Sequence, residues 1–244
     1  MDFTLYNQLS KAWQLIGDGL NWIAPASCIQ CNTPLTSHRV HPCCDICYPS
    51  LPFQANACAQ CAEPYAGFTD VCGRCLTAPP SYNACFCPFE YAKPISDMII
   101  RFKYHETPEL AGSLAKLLVH EIKQIDLPQP ELLLPVPMHI KRLRQRGYNQ
   151  SSLLAAQIGK MLDIPVSYSS LCKAKVTDPQ AQQTLKQRKN NVLGSFTLQK
   201  KISAKSIAIV DDVVTTGSTA AEIAKILKKN GVDYVQVWGV AHTL

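Results

Sequence analysis

The sequence predicts an α/β protein, a parallel sheet flanked by helices and preceded by a small cysteine-rich module, and three observations carry that reading. Beyond residue 90, short apolar segments alternate with amphipathic stretches, the pattern of a parallel sheet covered on both faces. Eleven of the twelve cysteines lie at or before Cys87. Charge divides at the same place: three Lys and Arg against six Asp and Glu up to residue 90, and 21 against 12 beyond it. Two independent counts thus set one boundary, with a helix and cysteine module over 1–90 and the α/β domain over 91–244. A chain of 244 residues that is 47% apolar and 17% charged folds, and collagenous, coiled-coil and repeat architectures are excluded.

From the amino end, Leu5, Leu9, Trp13, Ile16, Leu20 and Ile23 recur at helical spacing and predict a helix over residues 3–23. Its only cation is Lys11, so it reads as packed on protein rather than lying on a membrane. No apolar run reaches the ~18–20 residues that span a bilayer. The start carries an acid, Asp2, where a secretory leader needs base, so a cytosolic location is expected. Ile95, Met98, Ile99 and Phe102 predict one helix, and Leu110, Leu114, Leu117, Leu118, Ile122 and Ile125 a longer one. Strands are expected at 131–136, 164–168, 206–210 and 232–238, with helices at 153–162 and 219–229. Ligands of such sheets bind beyond the carboxyl ends of strands, which directs attention to the loops after residues 136 and 210.

The stretch from Cys28 to Cys87 has too few periodic apolar residues to be held by burial alone. Cys28-x-x-Cys31, Cys44-x-x-Cys47, Cys58-x-x-Cys61 and Cys72-x-x-Cys75 are four copies of one knuckle. Each aims two thiolates at one ion, and tetrahedral zinc needs two such turns, so two structural zinc ions are expected. Disulfides fit a reducing compartment poorly. Sequential pairing closes the shorter loops and is the arrangement expected, with crossed pairing open. Cys43, Cys85 and Cys87 read as buried thiols, and His38 or His41 stands as an alternative ligand.

The segment 207–219 is the most informative. A buried-strand run, Ile207 to Val210, leads into Asp211 and Asp212, then Thr215, Thr216, Gly217, Ser218 and Thr219, then a helix. The hydroxyls and the glycine at a helix amino terminus suit a phosphate monoester, while adjacent carboxylates accept hydrogen bonds from a diol. Ribose 5-phosphate has that shape. The pattern is neither a P-loop nor a dinucleotide turn, since both lack a counterpart here. A plain strand end with capping residues would leave the paired acids unexplained.

That segment resembles the phosphoribosyl pyrophosphate (PRPP) signature of type I phosphoribosyltransferases. The resemblance implies that Asp211 and Asp212 bind the ribose hydroxyls and that Thr215 to Thr219 wrap the 5′-phosphate. After the first strand, Pro135-Val-Pro137 leads to Lys141, Arg142, Arg144 and Arg146, then Gly147 and Asn149, which look like residues fixing a loop shape. Lys141, Arg142 and Arg146 are the candidate holders of a pyrophosphate, with Arg144 the most plausible solvated cation. With the segment from Lys173 to Gln180 and with Gln183, Leu185, Arg188, Asn191 and Phe196, the chain from about Cys28 onward is similar to the ComF family. That resemblance implies a zinc-ribbon module before a phosphoribosyltransferase-like domain and an association with uptake or use of external DNA. Lys173 and Lys175 stand where the family usually has arginines, and lysine lacks the bidentate grip.

The expected function is transfer of ribosyl 5-phosphate from Mg²⁺·PRPP to a nitrogen acceptor. The alternative is a non-catalytic PRPP-binding adaptor that contacts single-stranded DNA or a DNA-uptake partner, for which the cationic carboxyl half is the motive and the acidic amino half a counter-argument.

Overall fold

A computed structural model of the chain describes residues 27–35, 40–65, 67, 69–105, 107–174 and 194–243. The helix expected over residues 3–23, His38, and the run from Lys175 to Arg188 and Asn191 lie outside them. The chain forms two compact units, residues 1–50 and 51–244. Among the described residues, no helix is long and apolar enough to cross a membrane.

In the first unit, Cys28 N–H donates to Thr33 O, Ile29 N–H to Pro42 O and Cys44 N–H to Cys28 Sγ. Asn32 supplies the left-handed turn at φ 59°.

The second unit begins with a segment whose hydrogen bonds repeat those of the first. Here Cys58 N–H donates to Glu63 O, Ala59 N–H to Asp70 O and Cys72 N–H to Cys58 Sγ, with Ala62 left-handed at φ 59°. A short helix α1 (Gly73–Thr77) carries Cys75. Strands β1 (Ala84–Phe86) and β2 (Phe89–Glu90) follow. They form one edge of the sheet, interrupted at Cys87-Pro88, where proline has no N–H to donate. Although both lie on the amino side of residue 90, they pair in parallel with the last strand of the chain, β7 (Tyr234–His242).

Helices α2 (Ile95–Tyr104) and α3 (Leu110–Ile122) bury the stripes read from their periodicity, including Ile99 and Phe102, then Leu114, Leu117 and Leu118. Strand β3 (Leu132–Pro135), helix α4 (Ile140–Arg146) and helix α5 (Gln150–Leu162) come next. An antiparallel pair, β4 (Leu171–Lys173) with β5 (Phe196–Leu198), stands apart from the main sheet. Strand β6 (Ser206–Val214) and helix α6 (Ser218–Lys229) precede β7. The main sheet runs β1-β7-β6-β3, with β2 also on β7, and all its pairings are parallel. Alternation along β6 and β7 feeds Ile207, Ile209, Val235 and Val237 into a core with Ile223, Ala224 and Leu227 of α6.

Three local readings need correction. Residues 164–168 make only one bridge, Leu133 to Val166, because Pro165 cannot donate and the ladder stops at two hydrogen bonds. The cationic stretch expected as a loop is α4. The strand expected to end at Val210 continues to Val214, so the acidic pair stands on the strand itself.

Candidate functional site

Strand β6 brings the acids to the carboxyl end of the sheet at its centre, with Asp211 opposite Gly239 of β7. Val136 N–H donates to Val210 O, which ties the loop after β3 to the strand just before the acids. Asn149 then fixes that loop twice. Its Nδ2 donates to Val136 O at 3.0 Å, and its Oδ1 accepts from Ser151 N–H as the amino-terminal cap of α5. Capping in turn sets Ser151, whose hydroxyl donates to Asp211 Oδ1 at 2.9 Å, and Asp212 N–H donates to the same oxygen.

Asp212 is 7% exposed and its Oδ1 lies 2.8 Å from Lys103 Nζ, at the end of α2. Burial works against the Lys103 charge, but Asp212 outweighs it and holds the ammonium above its ordinary pKa. Among the described residues, no cation pairs with Asp211. Burial first, then the charge of Asp212, push its carboxyl up to about 7, against the opposing pull of Lys103 and the two donated hydrogen bonds. Sequence reasoning did not single out Lys103 or Ser151 as partners of the pair, since each contact joins segments far apart in the chain.

The turn after β6 is built for close approach. Gly217 has φ 67°, and a Cβ there would stand 2.3 Å from the Tyr82 hydroxyl oxygen, so both backbone and space call for glycine. As the cap of α6 it offers no side chain, which leaves the first helical turn to Thr216, whose Oγ1 accepts from Ser218 N–H. Thr215 is exposed, and Thr216, Ser218 and Thr219 are half-buried around the turn.

Helix α4 ends at Gly147, left-handed at φ 78°, as expected of a residue fixing the loop. Arg146 lies 4.8 Å from the centre of the Tyr104 ring, beside Lys103, and donates to Gln150 Oε1. Arg142 and Asp211 both act electrostatically on Lys173, whose pKa falls through burial and then Arg142. The structure therefore brings Arg146 to the end of α2 whose Lys103 pairs with Asp212. Lys141 and Arg144 are exposed, and Lys141 is placed through its N–H on His139 Nδ1.

The eight knuckle cysteines gather into two groups, Cys28, Cys31, Cys44 and Cys47, then Cys58, Cys61, Cys72 and Cys75. This is the sequential pairing. Within each group the sulfurs lie within 4.8 Å of one another, and Cys31 to Cys44 and Cys61 to Cys72 are 3.7 and 3.8 Å apart. Four sulfurs at Zn–S of about 2.3 Å make a tetrahedron with edges of about 3.8 Å. The donor sets therefore fit two zinc ions. Cys43, Cys85 and Cys87 are buried outside both groups, and His41 instead stacks on Tyr48 and accepts from Cys43 N–H.

No protein-family model matches the chain. It is 34% identical over 225 residues to "DNA utilization protein YhgH" of Salmonella typhi, covering 90% of this chain and 98% of the relative. Its counterpart of the same name in Escherichia coli (strain K12) is 33% identical over 224 residues, with the same coverage. "Competence protein F" of Haemophilus influenzae is 34% identical over 223 residues, covering 88% and 96%. Among solved structures, a glutamine PRPP amidotransferase from B. subtilis, complexed with ADP and GMP, aligns over 57% of this chain and 30% of its own, at 18% identity and TM-score 0.37. A likeness that slight carries no argument.

Proposed function

This chain belongs to the ComF family of competence and DNA utilization proteins, and on that premise we propose that its larger unit binds Mg²⁺·PRPP and transfers the ribosyl 5-phosphate to a nitrogen acceptor, in the service of DNA uptake or use. The observation that supports it most is the placing of Asp211 and Asp212 at the end of a central strand, one short turn before a glycine-capped helix. In this reading the carboxylates accept from the ribose 2′ and 3′ hydroxyls, and the turn from Thr215 to Thr219 holds the 5′-phosphate at the helix amino terminus. Among the described contacts, Oδ1 of each acid is engaged within the protein, which leaves Oδ2 as the oxygen each has uncommitted.

Lys141, Arg142 and Arg146 hold the pyrophosphate. As the anomeric C–O bond breaks and the C–N bond forms, negative charge collects on the leaving group, and these cations stabilise it. Mg²⁺ takes few protein ligands and several from substrate and water, so it would be held through pyrophosphate oxygens and ribose hydroxyls and would neutralise the departing pyrophosphate. Binding at the far ends of the substrate holds the anomeric carbon still.

Titration calorimetry with Mg²⁺·PRPP tests the site. The paired change Asp211→Asn with Asp212→Asn should abolish binding while zinc content stays at two per chain, and undiminished affinity would overturn the assignment. Pyrophosphate release across a panel of bases and amines tests turnover. A second reading, an adaptor that binds PRPP and single-stranded DNA without turnover, draws on the cations of α4 and on exposed Tyr104 and Tyr168, whose rings can stack on bases. Salt-sensitive DNA binding with no pyrophosphate release from any acceptor would favour it.

A further inference from the structure

Nothing in the proposed chemistry uses the second cysteine group, yet that group stands directly behind the turn assigned to the phosphate. Ala62, next to Cys61, shares one core with Tyr82, Cys87 and Val214. Cys85 N–H of β1 donates to Ala59 O inside the knuckle. Tyr82 is 2% exposed, and its hydroxyl presses on Gly217 so closely that no Cβ fits between them.

A second line of contacts runs through charge. Arg74 donates to Cys61 Sγ at 3.4 Å and pairs with Glu63. Four thiolates around a divalent ion leave a net charge of about −2, and Arg74 offsets part of it. His242, the last residue of β7, pairs with Val214 just before the turn. His242 is 4% exposed, and its Nδ1 lacks a partner among the described residues.

We propose that the second four-cysteine site is the support on which the phosphate turn is set: a metal ion held by Cys58, Cys61, Cys72 and Cys75 fixes Tyr82 against Gly217, and loss of that ion slackens the turn. Tyr82 is the positioning residue in this arrangement. The inference rests on Thr215 to Thr219 being the phosphate turn, and it goes beyond that reading by giving the metal a part in ligand affinity.

The test compares full-length protein carrying both metals with a second-site variant, Cys72→Ser with Cys75→Ser, and a first-site variant, Cys28→Ser with Cys31→Ser. Without any ligand, backbone amide exchange of peptides covering residues 211–222 should quicken about tenfold or more in the second-site variant. Peptides from β3 should keep wild-type exchange, and the first-site variant should leave the turn unchanged. Equal protection of the turn in all three proteins, with one zinc verifiably lost from each variant, would overturn the proposal.

Should the second-site variant lose its sheet altogether, the contact itself decides. Gly217→Ala sets a Cβ against the Tyr82 hydroxyl, whereas the ring carbon beneath would be 3.3 Å away. Tyr82→Phe should therefore recover part of the turn protection that Gly217→Ala loses. If the double variant exchanges as fast as Gly217→Ala alone, Tyr82 does not set the turn and the idea fails. Where wild type binds PRPP, the second-site variant should bind it at least about tenfold more weakly. A wild type that binds no PRPP would defeat the proposed function, while the exchange measurement would still decide the link between metal and turn.

Discussion

Asp211 is held where its charge is costly: it stands beside a second carboxylate and is half-buried, and Lys103 is bound to its neighbour. Its ordinary pKa of about 3.9 in the unfolded chain rises to about 7 in the fold. A raised carboxyl contributes its full share of stability below the unfolded value and loses it as pH climbs through the folded one. Asn at this position keeps an oxygen for Ser151 and for the Asp212 N–H, and carries no charge. Asp211→Asn should therefore stabilise the ligand-free protein at pH 8 by on the order of 2 kcal/mol, discounting the full shift for solvent screening. With zinc kept bound, the gain should shrink to about half at pH 5.5, read from urea midpoints at the two pH values. A gain that does not change with pH would mean that the strain at Asp211 is not electrostatic. The acids were legible in the sequence because they are adjacent and precede a recognisable turn. Lys103 was not, since its pairing with Asp212 exists only once α2 is docked beside β6.

The element that organises the basic side of the site is the junction of α4 and α5. In Ile140-Lys-Arg-Leu-Arg-Gln-Arg146 only Ile140 and Leu143 are apolar, so no stripe announces a helix, and the cations dominate the reading. What makes it helical is local: His139 caps its start through Nδ1, and Gly147 closes its end. The strand expected at 164–168 failed for the converse reason, an apolar pattern with a proline in it. At the same junction Asn149 both caps α5 and satisfies the Val136 carbonyl, so Asn149→Ala should cost about 1–2 kcal/mol. Asn149→Ser keeps a capping oxygen and gives up the bond to Val136, so it should cost visibly less. Equal losses for the two variants in denaturant titrations would show that the cap is not what holds α5 and, through Ser151, Asp211.

Over the whole molecule, the cysteine spacing located the metal-binding segment and its sequential pairing, but not which module packs on the sheet. Spacing marks four like knuckles, and repeated backbone hydrogen bonds show that they are two copies of one module. Only the three-dimensional packing reveals that the second copy shares a core with the sheet while the first lies within residues 1–50. The copies also differ in access. In the first group Cys31 is exposed and Cys44 half-buried, whereas all four cysteines of the second group are buried and Arg74 lies against Cys61. A chelator must reach a thiolate–metal bond to compete for it, and an exposed ligand that exchanges with solvent is where competition begins. Adding excess chelator should therefore release zinc in two steps, one ion at least about tenfold faster than the other. Every described strand of the main sheet belongs to residues 51–244, so the first step should leave its far-ultraviolet circular dichroism in place. Limited proteolysis after that step should cut within residues 40–50 and spare the described strands of the main sheet. Release of both ions at one rate, or loss of the sheet signal with the first, would show that the two modules are not separate in stability.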